Sequence, residues 1–89
     1  MQQLSFCVYV LQSLKDRDLY IGFTEDLEQR LKQHNLGQNI STAPRRPFRL
    51  IFCEYYLDKG DALRREAYFK TTAGKRTIRL MLDGTIKEL

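Results

Sequence analysis

Residues 6–11 read F-C-V-Y-V-L, an unbroken run of aromatic, β-branched and other apolar side chains. A run of six is too short for a core helix and suits a strand. A polar break from Leu14 to Asp18 follows, and Leu19 to Phe23 (L-Y-I-G-F) resumes strand character. Two such runs so close along the chain pair as an antiparallel hairpin, with strands expected over 6–13 and 18–23. A chain carrying this hairpin is committed to a sheet. Gly22 marks a point on the second strand where close approach or an unusual dihedral is needed.

A third run, Phe48 to Leu57 (F-R-L-I-F-C-E-Y-Y-L), predicts a strand over 47–56, expected to be the best buried of the three. Helical spacing fills the intervals. Thr24 is a candidate N-cap, with Glu25 and Asp26 in the first turn. Leu27 and Leu31 share one face, Leu36 roughly continues it, and Asn35 and Gly37 stop the helix. Gly37 to Pro47 is a polar, basic, proline-containing loop of about eleven residues, long for a simple connection. Asp58 or Asp61 can cap a second helix over Ala62–Lys70, with Leu63 and Ala67 inward. Thr71 to Gly74 breaks it, and a third helix runs from Lys75 to Leu82 with Ile78 and Leu82 inward. The order is β-β-α-β-α-α, a single α+β domain over 1–89 in which helices pack against one antiparallel or mixed sheet.

With 43% hydrophobic and 29% charged residues the chain is globular rather than disordered. Fifteen Lys and Arg against eleven Asp and Glu give a net charge of +4, which suits nucleic acid, acidic partners or anionic surfaces. Cys7 and Cys53 lie inside apolar runs at no zinc spacing, and read as reduced core thiols, with one disulfide between neighbouring strands as the alternative. No run of eighteen apolar residues exists, and the start lacks the basic region of a secretory signal. These features predict a cytoplasmic protein with no membrane partner.

Tyr9 and Tyr20 sit on the two hairpin strands and can lie side by side on one face. Such a pair is either cross-strand packing or two phenols, one bonded to a water or a phosphate oxygen. Arg30 and His34 are four apart on the first helix and flank the leucine stripe. They are either solvated cations near a helix C-terminus or a phosphate-binding guanidinium beside an imidazole that handles protons. Glu66 stands four residues before Lys70, as a surface ion pair or as a single carboxylate holding Mg²⁺. Basic residues cluster at Arg45, Arg46 and Arg49, at Arg64, Arg65 and Lys70, and at Lys75, Arg76 and Arg79. Such clusters can track a phosphate backbone but read no base sequence. There is no Walker sequence, dinucleotide-binding glycine motif, zinc finger or paired-carboxylate signature of a two-metal nuclease.

Together these residues resemble the GIY-YIG nuclease family. Cys7-Val8-Tyr9 stands at the first motif and Tyr20-Ile21-Gly22 at the second. Arg30, His34-Asn35, Ser41-Thr42 with Arg45-Arg46-Pro47-Phe48, and Ala62-Leu63-Arg64-Arg65-Glu66 with Lys70 follow in order. The likeness spans about residues 6–82. It is closest to small bacterial stand-alone members, themselves similar to the N-terminal nuclease domain of the excision-repair incision subunit. Cys7 replaces the first motif's glycine, and the late asparagine of many members has no counterpart after Glu66.

The resemblance implies a three-stranded, largely antiparallel sheet with flanking helices. It also implies a DNA endonuclease that uses one Mg²⁺ or Mn²⁺. Tyr9, Tyr20, Arg30, His34 and Glu66 match the family's active-site positions. Glu66 would hold the metal and Arg30 would neutralise phosphoryl charge. Tyr20 would serve the attacking water with Tyr9 orienting it, and His34 would relay the proton or touch phosphate. Arg45, Arg46, Lys70, Lys75 and Arg76 would line the nucleic acid. Expected substrates are branched or single-stranded DNA, cut with weak selectivity or with a targeting protein partner, as a monomer or a weak homodimer. The competing expectation is a non-catalytic nucleic-acid-binding module using the same basic surface.

Overall fold

The computed structural model describes residues 3–87. Strand β1 (Phe6–Ser13) and strand β2 (Leu19–Thr24) form the expected hairpin. Helix α1 (Leu27–Asn35) follows, then a loop with one 3-10 turn (Ala43–Arg45), then strand β3 (Phe48–Tyr56). Helices α2 (Lys59–Phe69), α3 (Thr72–Met81) and α4 (Asp83–Lys87) complete the chain. Both pairings in the sheet are antiparallel and the strand order is β2-β1-β3. The class is α+β with helices on both faces, as anticipated, and α4 is an addition.

Strand β1 is the centre of the sheet, and Cys7 through Ser13 are all buried. β3 was expected to be the most buried strand, but it lies at an edge and is mostly half-buried. Alternation along β1 divides the core in two. Val8 and Val10 face Ala62 and Phe69 of α2 and Ile78 of α3. Cys7, Tyr9 and Leu11 face the other way, against Leu27 and Leu31 of α1 and Phe48. Cys7 and Cys53 are both free thiols. Burial, with Cys53 beside it, pushes the Cys7 thiol up to about 11, so it stays protonated and unreactive.

Local chemistry shifts several helix ends. Asp26, rather than Thr24, caps α1 by accepting from the Gln29 amide (3.1 Å). Thr24 instead closes the preceding turn through its hydroxyl, which accepts from the Asp26 amide (3.0 Å). Asp58 caps α2 through the Asp61 amide (2.9 Å) and starts the helix earlier than expected. Leu63 and Ala67 do not form its inward face: both are exposed, and Ala62 and Phe69 are buried in their place. Thr71 caps α3 through Gly74, so the break between α2 and α3 is shorter than expected. No helix among the described residues is long and apolar enough to cross a membrane.

Candidate active site

The α1 face of the sheet positions the aromatic side chains. Tyr9 on β1 pairs in register with Gly22 on β2. A Cβ added at Gly22 would collide with the ring and hydroxyl of Tyr9. The missing side chain therefore lets the phenol lie across β2 towards the sheet edge, which gives Gly22 its physical role. Tyr20 pairs with Leu11 and falls on the same face. The two phenol rings are tilted with centroids 6.4 Å apart.

His34 completes the cluster. It was expected to flank the core, yet it is fully buried and extends the stripe of Leu27 and Leu31, while Leu36 is exposed. Its ring meets Tyr20 edge-on at 5.0 Å and Phe48 at 6.0 Å. Both ring nitrogens are engaged. Thr42 Oγ1 lies 2.8 Å from His34 Nδ1 and 3.4 Å from the Asn39 carbonyl; when the hydroxyl donates to that carbonyl, its oxygen accepts from Nδ1. With the proton on Nδ1, Nε2 accepts from the Tyr9 hydroxyl (2.9 Å). Burial, and then the charge of Arg30, hold the imidazole below the ordinary histidine value, so it is neutral at neutral pH.

Burial also pushes the Tyr9 phenol well above its ordinary value. Tyr20 adds to the shift, the Arg30 charge opposes it and the Glu66 charge raises it further. Tyr9 thus lies within the electrostatic reach of both Arg30 on α1 and Glu66 on α2. The Glu66 carboxylate is largely covered and pairs with the Lys70 ammonium (3.0 Å). The expected i,i+4 pair therefore forms, and it places a cation on the acid that the resemblance assigns to metal. A lone carboxylate oxygen suits Mg²⁺, which keeps most of its waters and completes its shell with substrate phosphate. Glu54 on β3 already holds Arg65 (3.1 Å) and the Tyr56 hydroxyl.

The loop from Gly37 to Pro47 holds the cluster in place. Gly37 takes a positive φ of 78° at its start. Thr42 is fully buried beneath His34. The Ser13 hydroxyl donates to the Arg45 carbonyl (2.6 Å), and the Leu14 amide donates to Pro47 (2.8 Å). At the end of α1, Asn35 mimics a strand: Oδ1 accepts from the Phe48 amide (2.8 Å) and Nδ2 donates to the Phe48 carbonyl (3.3 Å). The sequence reading missed Thr42 and Asn35 as site-building residues. Their signal was the H-N pair of α1 and the S-T pair inside a loop too long for a plain connection.

The basic residues separate. Arg45 was expected on nucleic acid but is engaged within the fold, on Asp16 (3.1 Å), the Leu19 carbonyl (3.4 Å) and the Phe48 ring. Arg46 is exposed beside Gly37. Lys70 stands at Glu66, and Lys75 and Arg76 are exposed on α3, which packs on the opposite face of the sheet.

The chain is similar to known proteins over most of its length. The model of the GIY-YIG catalytic domain matches residues 5–79. The UPF0213 protein of Staphylococcus saprophyticus is 36% identical over 78 residues, covering 86% of this chain and 94% of that protein. The UPF0213 protein of Clostridium perfringens is 38% identical over 82 residues, covering 91% and 87%. The solution NMR structure of a UPF0213 protein from Bacillus halodurans superposes with a TM-score of 0.54 at 32% identity, covering 85% of this chain and 83% of that one. The paired tyrosines over a side-chain-free Gly22, the buried histidine beneath them and the match across residues 5–79 lead to one statement: the chain belongs to the GIY-YIG catalytic domain family.

Proposed function

We propose that this protein is a metal-dependent endonuclease that hydrolyses DNA phosphodiester bonds. The observation that carries the reading is the directed hydrogen-bond chain from the Tyr9 hydroxyl through His34 to Thr42. In that chain the Tyr9 proton points at His34 Nε2 and the phenol oxygen keeps lone pairs for a water. As the water oxygen attacks phosphorus, its proton passes to the Tyr9 oxygen and the Tyr9 proton passes to Nε2. The imidazole is then the base, and the phenol never becomes a free phenolate, which suits a tyrosine whose ionisation is suppressed. This assigns the water to Tyr9 rather than Tyr20. Among the described residues no hydrogen bond holds the Tyr20 hydroxyl, which is left to orient water or phosphate.

Arg30 neutralises charge that develops on the phosphoryl oxygens. Glu66 would hold Mg²⁺ or Mn²⁺, which supplies Lewis-acid polarisation of the phosphate and stabilisation of the leaving oxyanion. Lys70 would release Glu66 to that ion and turn to phosphate. Exposed Arg46, Lys75 and Arg76 would add sequence-independent attraction for the backbone.

The test is Glu66→Gln, which keeps size and helix propensity but removes the charge a hard cation requires. The variant should fold, bind DNA as the parent does, and lose cleavage by about a hundredfold or more, on the order of 3 kcal/mol of transition-state stabilisation. If it cuts undiminished, the metal assignment is wrong. If the parent binds DNA but never cuts with Mg²⁺ or Mn²⁺, the protein is a nucleic-acid-binding module.

A further inference from the structure

The half-buried flank of α1 that carries Arg30 and Gln33 opens on a groove of about 480 Å³ that runs to the following loop. Arg30, Gln33, Gln38, Asn39, Ile40 and Ser41 line it. Its volume falls in the range that holds small ligands, about 300–1,000 Å³. Arg30 and Gln33 also border a second hollow, of about 200 Å³, that leads the opposite way to Asp26. Beyond it, Asp26, Glu28, Gln29 and Lys32 border a third, where Lys32 lies 3.9 Å from Glu28 and leaves Asp26 as its one acid without a cation beside it. Charge therefore gives the path a direction. A polyanion with one phosphate at Arg30 meets the Asp26 carboxylate on that side. The 480 Å³ groove is the other way open to it, and its lining holds no acid among the described residues.

The lining is not that of a phosphate track. Beyond Arg30 it offers carboxamides, a hydroxyl and one isoleucine. Ile40 is 91% exposed. It is held there by a built turn: Asn39 Oδ1 accepts from the amide (3.0 Å) and hydroxyl (2.7 Å) of Ser41. The next residue, Thr42, is anchored beneath His34. An apolar side chain on an ordered turn, beside primary amides, matches a nucleobase, which has one flat apolar face and an edge of donors and acceptors. Within a duplex that face is stacked and the pairing edge is occupied, so only an unpaired base can present both.

We infer that the groove is a subsite for an unpaired nucleotide next to the phosphate at Arg30, with Ile40 packing on the base and Gln33 and Gln38 bonding its edge. The inference rests on the nuclease reading only in placing a phosphate at Arg30. It makes Ile40 and Gln38 specificity residues for branched or single-stranded DNA.

Fluorescence anisotropy in EDTA tests it with three probes: a full duplex, the same duplex with a single-stranded flap, and that flap with abasic sites beside the junction. The parent should bind the flap at least about fivefold tighter than the duplex, the weak end of one base contact. Ile40→Ser and Gln38→Ala should each lose about threefold or more on the flap, and nothing on the duplex or the abasic flap. Equal affinity for flap and duplex, equal losses on all probes, unchanged binding by both variants, or no binding at all would overturn it. Because no metal is present, a protein that never cuts but shows the expected pattern removes the nuclease reading and leaves the subsite standing. One that cuts without the pattern does the reverse.

Discussion

Gly22 and His34 are the residues whose neighbours decide most. Gly22→Ala forces a methyl group into the Tyr9 ring, so the phenol must leave its place over β2. Overpacking of this kind should destabilise by about 1–3 kcal/mol, and cleavage should fall further than stability because the bond to His34 is broken. Thermal melts beside cleavage assays check both. His34 predicts a pH dependence. Its folded value is held below the ordinary 6.5, so the unfolded chain takes up the proton first as pH falls. The stability it contributes is complete above about pH 6.5 and is lost towards the lowered folded value, by up to about 1.4 kcal/mol per pH unit. Asp16, held low chiefly by the Asp18 amide, titrates in a far more acidic window. The midpoint of melting should drop between pH 7.5 and 5.5, and His34→Gln should flatten that drop. The shared face of Tyr9 and Tyr20 was legible in the sequence because motif and strand period agree on them. The burial of His34 was also present, seven residues after Leu27 and three after Leu31, but the spacing was read through Leu36. Thr42 was not legible as its partner, because only closure of the loop brings the two together.

Elements meet at the site through side chains that imitate backbone. Asn35 gives β3 the bonds that a neighbouring strand would give at Phe48. Asn35→Ala should leave the Phe48 amide without its partner and destabilise by about 1–2 kcal/mol. It should also loosen the join between α1 and β3, and a urea titration with tyrosine fluorescence measures the effect. All three strands and the three longer helices were readable from periodicity, since each depends on local pattern. What periodicity misplaced was relational. β3 is the longest strand, with an apolar stretch broken only by Arg49 and Glu54, yet the order β2-β1-β3 puts it at an edge, and strand order follows from non-local pairing. In α2 the inward side is set by Phe69, with Arg65 stacked 4.3 Å above its ring, so a charged residue occupies a position that the pattern gave to Leu63 or Ala67. The cap of α1 moved from Thr24 to Asp26 for a nearer reason, since a carboxylate competes well with a threonine for free helix amides, while at α2 the cap is Asp58, one of the two acids expected.

For the molecule as a whole, the net charge of +4 with exposed Arg46, Lys75 and Arg76 predicts salt-dependent DNA binding. Affinity should fall steeply as salt rises. Removing Lys75 and Arg76 together should weaken all sequences alike and reduce the slope by roughly one unit for each phosphate no longer neutralised. A series of binding curves at rising salt measures it, and an unchanged slope would take α3 out of the interface. The sheet also sets an order of release. Only β1 has neighbours on both sides, and its residues from Cys7 to Ser13 are sealed from solvent. Its amides should exchange with deuterium only when the molecule opens globally, while the outward amides of β2 and β3 exchange earlier through fraying. Tyr9 therefore rides on the slowest-exchanging strand and Tyr20 on an edge that breathes. Transient opening at β2 should unseat Tyr20 while the Tyr9–His34 bond persists, so the two phenols keep different clocks.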